Sequence, residues 1–462
     1  MERLSKLFLQ FVFGCGLVAC NGDDVDEPPP SGEAYRYIGT VAGNDNAANP
    51  LPPEQCHFVA TLNPKTGPLG AVGLPLENAA ILAVKELNEA GLVAGKKVCL
   101  VSGDTRTDSD FAAQLIESIM SEYPIRAVNG AAASSATEKV ASYLMATNVS
   151  KSPPNRVAQV SCCSTSPVFS TNQQVQRTVP SDALQGVVLA KLAREQVTPP
   201  AQEVSVIYID DIYGQSLAEV FRASFESLGG RILASTPFTP GNADYFDVLE
   251  TAFADDPDSI VLVAFPGDGA QILRDWRSSG LGKSVRWLAT DGLREDRFIQ
   301  GAGEGVITKL IGTAPVLRGD NFPDFDARYR AYWNNETPGI FTSNQYDAMM
   351  LIGLGLARLG SSTNQELSAA VQEVSSSTSG ATIITLNNLS DGLTKASAQE
   401  RINYEGASGT VDLTPTGDVL TNYRVWTVGT RGRIIETECN WTCTRSGRDD
   451  CEVVEPTTCQ GL

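Results

Sequence analysis

Short apolar runs alternate with amphipathic stretches along most of this chain. Phe58 to Leu62 reads as a buried strand. Leu76, Ala80, Ala83, Val84 and Leu87 then fall on one helical face that stops at Gly91. Lys97 to Val101 is the next strand, followed by a helix with Phe111, Leu115, Ile116 and Ile119 at helical spacing. Ile125 to Val128 and Val157 to Val160 are further strands. The rhythm resumes with a strand at Val204 to Ile209, a helix from Gln215 to Leu228 and a strand at Arg231 to Ala234. A helix at Phe246 to Phe253, a strand at Ser259 to Phe265, a helix at Ala270 to Arg277 and a strand at Val285 to Ala289 complete it. Strands alternating with helices predict parallel sheets wrapped on both faces. Two such series, broken near Arg177 to Ser181, predict two α/β lobes.

In open parallel sheets, ligands sit beyond the carboxyl ends of the strands. After the third strand comes Gly130-Ala-Ala-Ala-Ser134-Ser135-Ala-Thr137-Glu138. Ser135 and Glu138 have the spacing of a capping box, which places hydroxyls and free backbone N–H groups at a helix start. Such an end attracts an anion, although the serines can equally serve only as caps. Ser161-Cys162-Cys163-Ser164-Thr165 follows the fourth strand. Asp210-Asp211-Ile212-Tyr213-Gly214 and Thr290-Asp291-Gly292 stand at the matching ends in the second lobe. Hydroxyls facing an aromatic ring and a carboxylate describe a binding cleft.

The two ends of the chain carry other information. Arg3 and Lys6 precede an apolar run from Leu7 to Val18, and Leu17-Val18-Ala19-Cys20 follows. The run is short of the roughly 20 apolar residues a membrane span needs, so residues 1–19 are expected to be a signal peptide. The segment resembles those of bacterial lipoproteins, which implies lipid attachment at Cys20. Residues 20–34, acidic and Pro-rich, are expected to be a disordered, lipid-anchored linker. Roughly 440 residues then remain, enough for two or three lobes. Apart from Cys15 and Cys20, eight cysteines stay in the mature chain, an even number that suggests disulfides in an exported protein. Cys56 and Cys99 lie at the start and middle of adjacent predicted strands and could pair. Cys439, Cys443, Cys451 and Cys459 are expected to form two bridges within a Cys-rich tail, 433–462. Cys162 and Cys163 could be joined to each other, paired elsewhere, or reduced.

Several segments in order resemble the type I periplasmic binding proteins, in particular the branched-chain amino-acid receptors of ABC uptake systems. Thr66-Gly67-Pro68-Leu69-Gly70 with Gly73 resembles the opening motif of that family. Ala83 to Gly91 resembles its first helix, and Asp104 to Asp108 the loop after the second strand. Arg177-Thr-Val-Pro-Ser-Asp182 resembles the hinge motif, and Tyr346-Asp347-Ala348 and Ser408 to Asp418 match later ones. The resemblance implies an α/β fold of two Rossmann-like lobes joined by a three-crossing hinge. It implies an N-terminal lobe of 35–178 plus 312–407 and a C-terminal lobe of 179–311 plus 408–432. Crossings are expected near Arg177 to Ser181, Leu310 to Ala314 and Gly406 to Thr410. It further implies that Ser134, Ser164 and Thr165, with Ser135 beside them, hold a ligand α-carboxylate. Tyr213 would line the second lobe, with an aromatic near Phe265, and Asp291 would accept the α-ammonium. Read from the residues alone, Asp291 can also be a turn residue before Gly292 and Tyr213 a packing aromatic. The implied partners are a small amino-acid-like ligand, ABC permease subunits, and the membrane through the lipid anchor, at the cell envelope. A sensing or scaffolding lipoprotein of the same fold is the alternative.

The chain departs from the family at the inserted stretch Gly43 to Gln55 and at Cys162-Cys163. A formal charge of −19 disfavours nucleic acid as a partner. The one histidine, His57, stands at a strand entrance, and no G-x-S-x-G elbow precedes a helix, so an enzyme is not expected. Neither a cofactor nor a metal is expected.

Overall fold

The computed structural model describes residues 34–41, 45, 49–171, 174–282, 284–303, 310–360, 362, 364–429, 432–443, 451–453 and 459. The expected signal peptide, Cys20 and the linker as far as Glu33 lie outside them.

The first sheet holds β1 (Tyr35–Gly39), β2 (Cys56–Asn63), β3 (Lys97–Asp104), β4 (Ile125–Gly130), β5 (Ala158–Ser161) and β6 (Val175–Arg177). Its order is β1-β3-β2-β4-β5-β6, parallel except for β1, which runs antiparallel along β3. The inner strand β2 is buried at every position, as expected of a strand covered on both faces. Between these strands run α1 (Gly70–Ala90), α2 (Ser109–Glu122) and α3 (Ser134–Asn148). Asp108 caps α2, accepting the Phe111 N–H at 2.9 Å. A disulfide joins Cys56 on β2 to Cys99 on β3, the pairing that their adjacent strands allow.

The chain then passes to α4 (Asp182–Lys191) and an eight-stranded sheet of order β16-β15-β14-β11-β10-β9-β7-β8. The parallel part holds β7 (Glu203–Ile209), β8 (Arg231–Phe238), β9 (Ser259–Val263), β10 (Arg286–Ala289) and β11 (Leu310–Pro315). Its helices are α5 (Ile212–Ser227), α6 (Phe246–Phe253), α7 (Pro266–Ser279) and α8 (Asp296–Ala302). After β11 come α9 (Phe322–Tyr332), α10 (Thr342–Leu359), α11 (Leu367–Glu373) and α12 (Leu389–Ser397), with the small parallel pair β12 (Thr382–Ile384) and β13 (Ile402–Tyr404). These helices pack back on the first lobe, α10 against α1, β4 and β5. Every α10 residue except Arg358 is buried, so it is a core helix, apolar on more than one face.

The chain next re-enters the second sheet as β14 (Tyr423–Val428), antiparallel to β11. β15 (Ile434–Cys443) and β16 (Cys451–Val453) extend it. The segment after Arg433, expected as a separate tail, is therefore in part sheet. Along β15 the buried residues Cys439, Trp441 and Cys443 alternate with half-exposed ones, the period of a one-sided strand. Cys439 is bonded to Cys459, within the tail as expected, and Cys443 is also in a disulfide.

Three crossings join the lobes. The second expected crossing, Leu310 to Ala314, falls inside β11, because that run is a buried strand; the chain leaves the sheet after Pro315. The third ends at Tyr423, where β14 begins. At the first stands Arg177, which is fully buried and bonded at 2.7 Å to Asp418 on the third. Its other N–H groups donate to the Ser164 and Ser166 carbonyls at 3.0 and 2.8 Å and to Ser170 Oγ at 2.9 Å. Breaking a buried pair leaves an uncompensated charge, so Arg177→Met is expected to lower the unfolding free energy by about 3–5 kcal/mol. Urea unfolding measures this, and a loss below about 1 kcal/mol would refute a structural role for the pair.

Candidate ligand-binding cleft

Both sheets change winding direction at an inner strand, the first between β2 and β4, the second between β7 and β9. Crevices beyond the carboxyl ends of such strands are where open α/β sheets hold ligands. Here the two crevices face each other. Ser135 Oγ on α3 accepts the N–H of Ile212 at the start of α5, at 3.3 Å. Ser166 Oγ lies 2.9 Å from Ser216 Oγ across the same seam, and the Ile340 N–H donates to Glu295 at 3.4 Å on the opposite flank. The lobes are in their closed arrangement.

Between them lies a cavity of about 40 Å³, room for a few waters. Four residues singled out from the sequence line it, namely Ser134, Thr165, Tyr213 and Asp291, together with Phe265. Gly130 lets the chain after β4 pass over β2, since its φ is +131° and a Cβ there would stand 2.6 Å from the Leu62 carbonyl. Ser134 is then the first residue of α3. The expected capping box does not form. Ala133 is the N-cap and makes no side-chain cap bond, while Glu138 accepts from Ser142. The first-turn N–H groups thus lack a side-chain cap at the cavity edge. The Ser166 N–H reaches Ser134 Oγ at a long 3.4 Å.

Ser164 and Ser135 stand elsewhere. Ser164 Oγ lies 2.7 Å from Thr137 Oγ1 and within 3.2 Å of the Ala131 and Ala132 carbonyls, so it fixes the loop and does not line the cavity. Ser135 belongs to a neighbouring open pocket with Arg106, Lys139 and Asp211. Cys162 and Cys163 are bonded to each other, and Cys163 lines the cavity beside Thr165.

The second lobe supplies the charge. Tyr213 stacks on Phe265 with ring centroids 5.6 Å apart and planes 7° from parallel. Its hydroxyl lies 2.8 Å from Thr290 Oγ1 and donates to Asp291 at 3.2 Å. Gly292 makes room for this, as a Cβ there would stand 2.9 Å from that hydroxyl. Asp291 opens a short turn and also lines the cavity, so the two readings of it coincide. Burial pushes its carboxyl up to about 6, against hydrogen bonds from Gln185 and Tyr213 that favour the ionised form. Asp182, which accepts the Thr165 hydroxyl at 2.7 Å, is raised well above the usual range by burial and by the charge of Asp291. Burial likewise raises Asp211 to about 6 and Glu295 to about 7. Asp291 and Glu295 thus line the cavity itself, with Asp182 and Asp211 buried close by.

Sequence reading missed part of the wall. Leu69, Val72 and Leu76 from the start of α1 form an apolar side, and Ile340 and Phe341 before α10 close the end. Leu69 sits inside the recognised Thr66 to Gly70 segment, but no pattern distinguishes a wall residue from core. His57, by contrast, is packed: buried, its Nε2 3.1 Å from the Val93 carbonyl, with burial lowering it to about 4.

A two-lobed α/β body with a polar cleft at both topological switch points is the architecture of a solute-binding protein. A family model described as "Periplasmic binding protein" matches residues 58–396, and the chain belongs to that family. It is similar to the chemotactic signal transduction system substrate-binding protein BasB of Halobacterium salinarum, 26% identical over 79% of this chain and 86% of that one. Among solved structures it is similar in fold to the leucine binding protein LivK of Thermotoga maritima, at TM-score 0.68 and 23% identity, covering 83% of this chain and 98% of that one. It is also similar in fold to a solute binding protein of an ABC transporter from Rhodopseudomonas palustris in complex with 3,4-dihydroxy benzoic acid, at TM-score 0.65 and 16% identity, covering 85% and 98%.

The raised carboxyls set a pH dependence. Between the ordinary Asp value near 4 and about 6, the folded state holds more protons at Asp291 and Asp211 than the unfolded state does. Stability of the unliganded chain should therefore fall as pH rises through that window, and Glu295, raised to about 7, extends the decline toward pH 7. Thermal melts from pH 4.5 to 7 should show the decline, with a shallower slope in Asp291→Asn. Equal slopes in both would refute the assignment to Asp291.

Proposed function

We propose that this chain is an extracytoplasmic, lipid-anchored binding protein that captures an amino-acid-like zwitterion between its lobes for an ABC uptake system. The observation that carries the reading is the polarity of the cavity: helix-start N–H groups and Ser134 on one side, Asp291 under a stacked Tyr213–Phe265 pair on the other. A carboxylate suits the first and an ammonium the second, with each charge-assisted hydrogen bond contributing about 1.5–3 kcal/mol. Ser134 and the α3 N-terminus hold the carboxylate, Thr165 stands beside it, and Asp291 holds the ammonium. Ligand that touches both lobes favours the closed arrangement over an open one, by its differential affinity for the two. The positive charge also relieves the repulsion between Asp291 and Asp182. The leucine and dihydroxybenzoate named for the two like-folded proteins share a carboxylate, while only the former carries an ammonium. Binding without catalysis fits a cleft whose reactive groups are carboxylates and hydroxyls and whose chain's histidine is packed away from it.

A sensing role is the second reading, favoured by the similarity to the chemotactic protein over most of both chains. Both readings use the same cleft and differ in the partner that recognises the closed form.

A thermal-shift screen of the mature chain against amino acids, small peptides and aromatic acids tests the proposal. A ligand at 100-fold excess over its dissociation constant should add about 2.7 kcal/mol to stability. Asp291→Ala should weaken a zwitterion at least about tenfold, or 1.4 kcal/mol. Unchanged affinity in that variant, or stabilisation only by acids that lack an ammonium, would overturn the reading.

A further inference from the structure

A second, larger cavity of about 450 Å³ lies on the hinge side of the cleft, and Glu295, Ile340 and Phe341 are common walls of the two. Unlike the strongly acidic chain as a whole, its lining carries as many guanidiniums as carboxyls, three of each. Arg294, Arg318 and Arg424 converge on it, from the turn after β10, the second crossing and β14. Glu436 on β15 pairs with both Arg294 and Arg424, and Arg424 Nε also donates to Asn440 at 2.8 Å. Arg318 has no such partner. Its guanidinium stacks over Phe322, 4.8 Å from the ring centroid, and among the described residues no carboxylate lies within ion-pair distance of it. One carboxylate thus serves two of the guanidiniums and leaves the third to whatever enters the cavity. Arg294 responds to that imbalance: burial and the nearby charges of Arg318 and Arg424 lower it to about 10. Glu295 and Asp296 also line the cavity, and burial raises Glu295 to about 7, so the one guanidinium without an ion pair, and not a net positive charge, is what the cavity offers an anion.

We propose that this cavity is an anion subsite continuous with the ligand cleft, and that its occupant is the second acidic group of an amino-acid-like ligand. The inference rests on the proposed binding of a zwitterion at Asp291 and narrows it to zwitterions that carry an extra carboxylate, such as acidic amino acids and acidic dipeptides. Guanidinium groups suit a carboxylate because their N–H donors match its two oxygens in a planar fork. In a chain of formal charge −19, a cluster of three arginines around one cavity is also what brings an anion against the overall field. Glu436, Arg424 and Ile434 contribute walls from beyond residue 396, where the family match ends. The subsite is therefore built partly from β14 and β15, which follow the matched residues.

The test is calorimetric titration of the mature chain with L-leucine, L-glutamate, L-2-aminoadipate, γ-L-glutamylglycine, glutarate and inorganic phosphate, in wild type, Arg318→Gln, Arg318→Lys and Asp291→Asn. Arg318 is chosen because it holds no ion pair, and the Lys variant keeps the charge without the fork. At least one acidic zwitterion should bind at least about tenfold more tightly than leucine. It should lose that advantage in Arg318→Gln, recover part of it in Arg318→Lys, and weaken as salt is raised. Leucine, if it binds, should be indifferent to Arg318. Glutarate or phosphate binding that depends on Arg318 but not on Asp291 would keep the anion subsite and overturn its link to a zwitterion. Leucine binding that depends on Asp291, with no Arg318 effect on any probe, would overturn the subsite and leave the proposed function standing. No binding of any probe to wild type would overturn both.

Discussion

A guanidinium sealed from water must find partners for its charge and its N–H groups, and Arg177 finds them in three different parts of the fold. Asp418 on the third crossing takes the charge, while the Ser164 and Ser166 carbonyls and the Ser170 hydroxyl take the remaining bonds. The desolvation cost of such a pair is offset only when this geometry is complete. The consequence reaches past the hinge. The loop from Cys163 to Ser166 is the one that brings Thr165 and Cys163 to the cavity, so its shape is set by the group that ties two interlobe crossings together. When the lobes part, that wall of the cleft stays with the pivot.

The opposite wall is governed by repulsion. Burial raises the carboxyls of Asp182 and Asp291, the charge of Asp291 raises Asp182 further, and hydrogen bonds from Thr165 to Asp182 and from Tyr213 and Gln185 to Asp291 favour the ionised forms. If the cleft takes the proposed zwitterion, its ammonium relieves that repulsion, and affinity and closure then draw on the same source.

Most of the architecture was legible in the chain because period and turn residues are local signals. The strands from Phe58 to Ala289 and the helices between them reappear within a few residues, and the positions after β4, β5, β7 and β10 are those that reach the cleft. What was not legible depends on packing partners. Ser135 and Glu138 have capping-box spacing, yet the N-cap is Ala133, two residues earlier, and Ser135 Oγ instead accepts from Ile212 of the other lobe. Ser164 carries the right functional group but turns it toward Thr137 and two carbonyls. The β15 strand shows its period of two in Cys439, Trp441 and Cys443, a signal overshadowed by counting the cysteines. The arginines of the hinge-side cavity lie far apart in sequence, and only the fold brings them together.

The interleaving of the two lobes also sets the order in which this chain can fold. The first lobe's core needs α10, which packs on α1, β4 and β5, all far earlier in the chain. The second lobe's sheet is incomplete until Tyr423–Val428 and then Ile434–Cys443 have joined β11. Contacts this distant in sequence are entropically late and slow to form. Neither half can therefore complete its core before the C-terminal region has been synthesised, and the two walls of the cleft become rigid only at the end of the chain's assembly.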